Sequence, residues 1–348
     1  MTKKELEQYK RDKIKREKPL VYAKMLQINE REKRGELTCR MDVGYRYACN
    51  LHCQHCMADR FQHKERSLNI SDMRSIAEQA NALGWCQFNI SGGEPLILKD
   101  FDEVLKACMP DRFHIGISTN GYFLTPDRAK QLKTLGLDKV MISFDSINPD
   151  LHNQNREDKE AFEKAMSAVW AAKGAELDVV LQHVVTHQNA QTENTVEIAK
   201  FCQDNGFSLD IVLGKAIGVW EGKHEILITE DDAAFLRKLH KQYPVARRDI
   251  YPAYGRGGGC GTFRRCFHIS QWGDVFVCVF IHISLGNVFE ESLKDIMERA
   301  KRIKPLQEIS PICRAGEDRL FIAKYMTKFY NKPKPVHYTE IFNKEDYI

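Results

Sequence analysis

A chain of 348 residues, 43% hydrophobic and 29% charged, holds enough apolar sequence for one large core or two modest ones. No apolar run reaches the length of a bilayer span, and Lys3 and Lys4 follow Met1 with no apolar signal region behind them, so the expected compartment is the cytoplasm. The net charge of +4 is uneven, because residues 1–37 carry twelve Lys/Arg against seven Asp/Glu. Charges of both signs without an aromatic stacking pattern point to a helical extension packed on the domain, not to a nucleic-acid arm.

From about residue 38 strands and helices alternate. Residues 38–43 read as a first strand, followed by a cysteine-rich loop. Ile70, Met73, Ile76, Ala77, Ala80 and Leu83 recur at helical spacing, with Ser71 as expected N-cap and Gly84 as stop. Further strands are expected over 85–90, 113–118, 140–144, 177–185 and 209–213. Helices are expected over 101–108, from Thr125-Pro126 to Gly136, and over 161–175 and 192–205. Six strands alternating with helices imply a parallel sheet with right-handed crossovers, whose ligands gather at the C-terminal strand ends. After Leu213 the pattern changes. A helix capped by Thr229, a Gly-rich linker over 254–259, a hairpin turning at Gly273-Asp274 and a last helix over 292–303 read as a small second lobe.

Eleven cysteines in a reducing compartment point to metal or thiol chemistry, not to disulfides. Cys39, Cys86, Cys108 and Cys202 stand singly and read as small buried hydrophobes. Cys49, Cys53 and Cys56 supply three thiolates within eight residues. A [4Fe–4S] cube takes four ligands, so three leave one iron open for a cofactor or substrate. His52 or His55 as a fourth ligand would instead make a zinc site.

The C-x3-C-x2-C loop after the first strand resembles the radical S-adenosylmethionine (SAM) superfamily. Other segments match in order: Ser91-Gly92-Gly93-Glu94-Pro95 resembles the family's GGEP, Ser118-Thr119-Asn120-Gly121 its TNG, and Ser143-Phe144-Asp145-Ser146 its SxD. His152 and Arg156 resemble its H-x3-R element. The resemblance spans residues 38–215 and implies a partial (β/α)6 TIM-type barrel. It further implies a SAM-binding [4Fe–4S] cluster on Cys49, Cys53 and Cys56. SAM contacts would come from Gly92, Gly93, Glu94, Pro95, Ser118, Asn120, Ser143, Asp145 and Arg156, with Glu94 on the ammonium and Arg156 on the carboxylate.

Cys260, Cys266, Cys278 and Cys313 lie in the second lobe, which resembles the small α+β SPASM and twitch domains that bind auxiliary clusters. Four cysteines allow one auxiliary [4Fe–4S] cluster at most. Two roles stand open for Cys266: fourth ligand, or a free thiol acting catalytically as hydrogen donor to a substrate radical. A zinc-stapled module is the alternative for the whole lobe. The expected divisions are a basic helical extension (1–37), the barrel core (38–220), a helical linker (221–258), the cluster lobe (259–320) and a tail (321–348). The implied activity is reductive cleavage of SAM and hydrogen abstraction from a substrate carbon, in natural-product, cofactor or small-molecule biosynthesis. Peptide modification is the alternative, and a non-catalytic iron–sulfur or zinc protein the remote one. A flavodoxin or ferredoxin would supply electrons. Trp220-Glu221-Gly222 and His282 read as packing residues near the cavity.

Overall fold

The structure is a computed structural model that describes residues 3–38, 40–58, 61, 63–248, 250–251 and 257–348. Cys39 and residues 254–256 of the Gly-rich linker fall outside the described residues. Strands β1 (Arg40–Arg46), β2 (Gln87–Gly92), β3 (His114–Thr119), β4 (Lys139–Ser143), β5 (Asp178–Val185) and β6 (Ser208–Leu213) lie side by side in chain order, all parallel. The connecting helices are right for such crossovers: each shows an apolar stripe to the sheet, as Met73, Ile76, Ala77 and Ala80 do in the helix Ile70–Ala82. The six expected strands are therefore present, in a sheet that does not close.

Period-2 alternation sorts the two faces. On β5 and β6 the odd-numbered Val179, Leu181, Val185, Leu209, Ile211 and Leu213 are buried against helices. The even-numbered Val180, Gln182, Val184, Asp210 and Val212 line interior cavities. The concave face is thus polar enough to hold a ligand while the convex face makes the core.

Four details differ from the sequence expectation. Asn69, not Ser71, caps the first crossover helix, because its Oδ1 accepts from Asp72 N (3.0 Å) while Asp72 accepts from Asn69 N (2.9 Å). Residues 149–156 form a helix (Pro149–Arg156) where only a motif was read. The stretch read as a helical linker contains a strand, β7 (Ala246–Arg248), parallel to β6. The hairpin β8 (Cys266–Ile269) and β9 (Asp274–Cys278) does not form a sheet of its own, for β8 pairs in parallel with β1. With β10 (Ile281–Asn287) and β11 (Val336–His337) it extends one sheet of eleven strands among the described residues. An exposed β1 edge offers unpaired backbone groups, and the lobe satisfies them.

The N-terminal extension forms helices α1 (Lys3–Glu17), α2 (Pro19–Leu26) and α3 (Ile28–Lys33). Its cations satisfy backbone carbonyls on the barrel. Lys18 Nζ meets Phe113 O and Gly136 O (2.9 Å each) and Asp138 (2.5 Å), and Lys13 meets Asp178 at 2.7 Å. Arg31 donates to the Leu83 and Gly84 carbonyls at 2.7 Å. Its positive surplus is committed to the fold.

Residues 321–348, expected as a tail, are built into the molecule. Lys334 is wholly buried and paired with the equally buried Glu221, which also accepts from Asn331 N at 2.8 Å. The pair ties this segment to the loop that carries Trp220.

Candidate active site

Two cavities occupy the concave face. The upper one, of about 320 Å³, lies at the C-terminal strand ends and is lined by Cys49, Cys53 and Cys56 together with Gly92, Gly93, Ser118, Asn120, Ser143 and Arg156. The lower one, of about 230 Å³, lies at the opposite ends and is lined by Cys260, Cys266, Cys278 and Cys313. Residues Arg40, Lys139, Met141, Asp210 and Phe280 line both, so a single layer of side chains separates them.

The loop bearing the first three cysteines is seated by glycines. A Cβ on Gly92 would stand 2.1 Å from Arg46 O, and one on Gly93 2.1 Å from Ala48 O. Their absence lets Gly93 N and Glu94 N donate to those carbonyls at 2.8 and 3.0 Å. Asn120 Nδ2 reaches Asn50 Oδ1 (2.9 Å) and approaches Cys49 Sγ (3.9 Å), and Arg156 Nη1 approaches Cys53 Sγ at 3.7 Å. Val219 N donates to Cys56 O at 3.1 Å, fixing the far end of the loop.

Glu94 and Pro95 do not line the cavity. Glu94 is buried, and its carboxylate is engaged locally: Leu96 N (2.9 Å) and Thr119 Oγ1 (2.8 Å) donate to Oε1, and Asn120 N (2.7 Å) to Oε2. This arrangement shapes the loops around the cavity and uses three of the roughly four acceptor positions of the carboxylate, with one donor on Oε2. Burial pushes its carboxyl up to about 7 against the pull of those donors. Glu94→Gln places an amide NH2 against a backbone N–H, Leu96 N or Asn120 N, whichever way the amide turns, and a loss of about 1–3 kcal/mol is expected in urea denaturation. Asp145 likewise sits behind the cavity. It holds Arg156 from two sides, Nη2 to Oδ1 at 2.9 Å and Nε to Oδ2 at 2.7 Å, with both side chains under a tenth exposed. His152 Nδ1 accepts from Asp145 N at 3.1 Å, which completes the H-x3-R element as a brace.

The lower set is drawn together by long-range pairing. Cys266 and Cys278 begin and end the hairpin strands, Cys260 exchanges backbone bonds with Ser310 (2.6 and 3.0 Å), and that bridge brings up Cys313. A hydrogen bond with Cys266, with burial, lifts the Cys278 thiol well above its ordinary value. Cys266 lines the lower cavity with Cys260, Cys278 and Cys313 and does not line the upper one.

None of the described cysteines forms a disulfide. Among the described residues no three His, Cys, Asp or Glu side chains converge on one point that a single ion would touch. Thiolates of a cube bind separate irons and stand farther apart than the ligands of one zinc ion, so three thiols on one side and four on the other suit clusters.

Trp220 lines the upper cavity and stacks obliquely on His55 (5.7 Å), whereas His282 is buried in an aromatic cluster away from it. Sequence reasoning missed Arg40, Asp42, Lys139, Asp210 and His268 on the cavity walls. Their signal is polar residues at alternate positions in otherwise apolar strands.

Residues 46–202 match the radical SAM superfamily, and residues 260–317 match SPASM, an iron–sulfur cluster-binding domain. The mycofactocin maturase MftC of Mycolicibacterium smegmatis is 27% identical over 286 residues, covering 75% of this chain and 70% of that protein. A probable GTP 3′,8-cyclase of Methanothermobacter thermautotrophicus is 29% identical over 188 residues; that match covers 54% of this chain and 60% of the cyclase. Streptococcus suis SuiB bound to precursor peptide SuiA superposes with a TM-score of 0.62 at 16% identity, covering 83% of this chain and 75% of that one. Native anSMEcpe with bound AdoMet gives 0.58 at 20% identity, over 75% and 80%. No helix among the described residues is long and apolar enough to cross a membrane.

Proposed function

The chain belongs to the radical SAM superfamily and carries a SPASM domain, and from that premise we propose that it cleaves SAM reductively in the upper cavity. The proposal extends to hydrogen abstraction from a small-molecule, cofactor or natural-product substrate. The observation that carries it is the convergence of Cys49, Cys53 and Cys56 on one cavity with Ser118, Asn120, Ser143 and Arg156. Those three cysteines would hold the [4Fe–4S] cluster, and Cys260, Cys266, Cys278 and Cys313 an auxiliary one. When bound, the first cluster supplies reductive cleavage of SAM, which generates the hydrogen-abstracting species.

The chain's own residues do the positioning. Gly92 and Gly93 bring the cysteine loop against the sheet, Asn120 braces it, and Arg156 sets a fixed positive charge beside Cys53. Ser118 and Ser143 present hydroxyls to the SAM side of the cavity. Trp220 and the Lys334–Glu221 pair hold the rim, limiting water around a reactive species. The proposed setting is the cytoplasm, where thiols stay reduced, with a flavodoxin or ferredoxin as electron donor.

A peptide substrate is the second reading. It is favoured by likeness to a protein named a maturase and to one seen with its precursor peptide.

Anaerobic reconstitution with SAM and dithionite is expected to yield 5′-deoxyadenosine; none formed, or zinc as sole metal, overturns the enzyme reading. Iron content is expected at roughly eight per chain. Cys266→Ala should lower it or change the auxiliary cluster's spectrum, and iron and spectra equal to wild type would remove Cys266 from the ligand set.

A further inference from the structure

Between the two cysteine-lined cavities lies a charged layer, in which Arg40, Lys139 and Asp210 line both. Lys139 opens β4 and faces inward, opposite Gly116 of β3. A Cβ at Gly116 would stand 2.9 Å from Lys139 Cε, so the missing side chain is what lets the lysine stem lie across β3. Among the described residues its ammonium has no hydrogen bond and no ion pair within 4 Å. Arg40 acts on it from the same layer with like charge, and Lys10 adds to that repulsion, against the opposite charges of Asp210 and Asp178. Desolvation, reinforced by Arg40, lowers the group to about 8. A cation so placed gains from any anion that enters.

A second, independent feature faces the same space. Asn89 is 5% exposed and lines the upper cavity; its Nδ2 donates to Asp42 Oδ2 and Ser118 Oγ, while its Oδ1 has no partner. That oxygen stands 3.0 Å from where a Gly116 Cβ would be, on the same patch of β3 that the Lys139 stem crosses. A buried acceptor without a donor is costly unless a ligand supplies one.

We propose that the substrate is a compact molecule bearing an anionic oxygen group, carboxylate or phosphate, that docks on Lys139, with a neighbouring hydroxyl or amine that donates to Asn89 Oδ1. This deepens the enzyme reading above and rests on it. The anchor holds the substrate between the SAM-side cysteines and the lower cysteines, at the floor of the upper cavity.

Binding to the reconstituted holoenzyme tests it, with inorganic phosphate, acetate and glycolate as probes in calorimetric titration. Wild-type protein is expected to bind phosphate and glycolate saturably, with glycolate several-fold tighter than acetate because it alone adds a hydroxyl. Whichever of phosphate and glycolate binds tighter assigns the anionic group. Lys139→Met should weaken both at least tenfold and Lys139→Arg restore most of the loss, which a merely structural lysine would not do. Gly116→Ala, which displaces the lysine stem, supplies a second variant and should weaken them too. Absent binding in wild type, or equal binding in Lys139→Met, overturns the proposal. Formation of 5′-deoxyadenosine by the wild-type enzyme without any probe is read separately, so failure of the anion site is distinguishable from failure of the enzyme reading.

Discussion

Cys53→Ala is expected to lower 5′-deoxyadenosine formation by roughly 100-fold or more, since even outer partners of a metal site change affinity 10–100-fold. A cube that already leaves one iron open to its cofactor has no protein thiolate to spare. Cys53 is also the thiol beside Arg156, at 3.7 Å, in the braced part of the loop. The auxiliary cysteines lie beyond the Arg40, Lys139 and Asp210 layer, so their iron should survive and the variant should retain roughly half the metal. Iron and 5′-deoxyadenosine measured on the same reconstituted sample check both halves. Near-wild-type product would remove Cys53 from the ligand set.

Arg156→Met should destabilise the protein by about 3–5 kcal/mol, because it strands Asp145 as a buried charge. Burial, the largest influence, would raise the Asp145 carboxyl, but Arg156 together with His55, His152 and His183 outweighs it and holds the group down at about 2. A depressed carboxylate contributes stability above its unfolded value, near 3.8, and loses it as pH falls toward 2. The variant's deficit should therefore be largest at neutral pH and shrink below about pH 4, in urea melts at a series of pH values. Asp145→Leu combined with Arg156→Met should recover part of the loss, since an apolar pair of similar size leaves no orphaned charge. A deficit that is flat from pH 7 to pH 3 would show that packing, not the ion pair, is what Arg156 provides.

The linear order of the chain determined the catalytic class and most of the barrel. Cysteine spacing is local chemistry: eight residues bring three thiols onto one loop whatever lies around them. Strand–helix alternation is also local, and parallel strands joined by helices admit few topologies. The motif residues at the strand ends were legible for the same reason, although their roles were not. Glu94 reads as a ligand carboxylate, and only the structure shows that Thr119 and Asn120, on the next strand end, donate to it.

Only the tertiary structure decided how the parts meet. Nothing in the period of residues 266–278 says that β8 pairs with β1, because edge pairing depends on which strand is left uncovered. That choice puts the second cysteine set beneath the barrel and makes Cys266 a neighbour of Cys278 instead of a wall of the upper cavity. The floor of the site has the same origin. Arg40, Lys139 and Asp210 come from three strands far apart in the chain. Alternation shows that each points inward, but their sharing one layer depends on strand register, and register is fixed across the sheet, not along the chain.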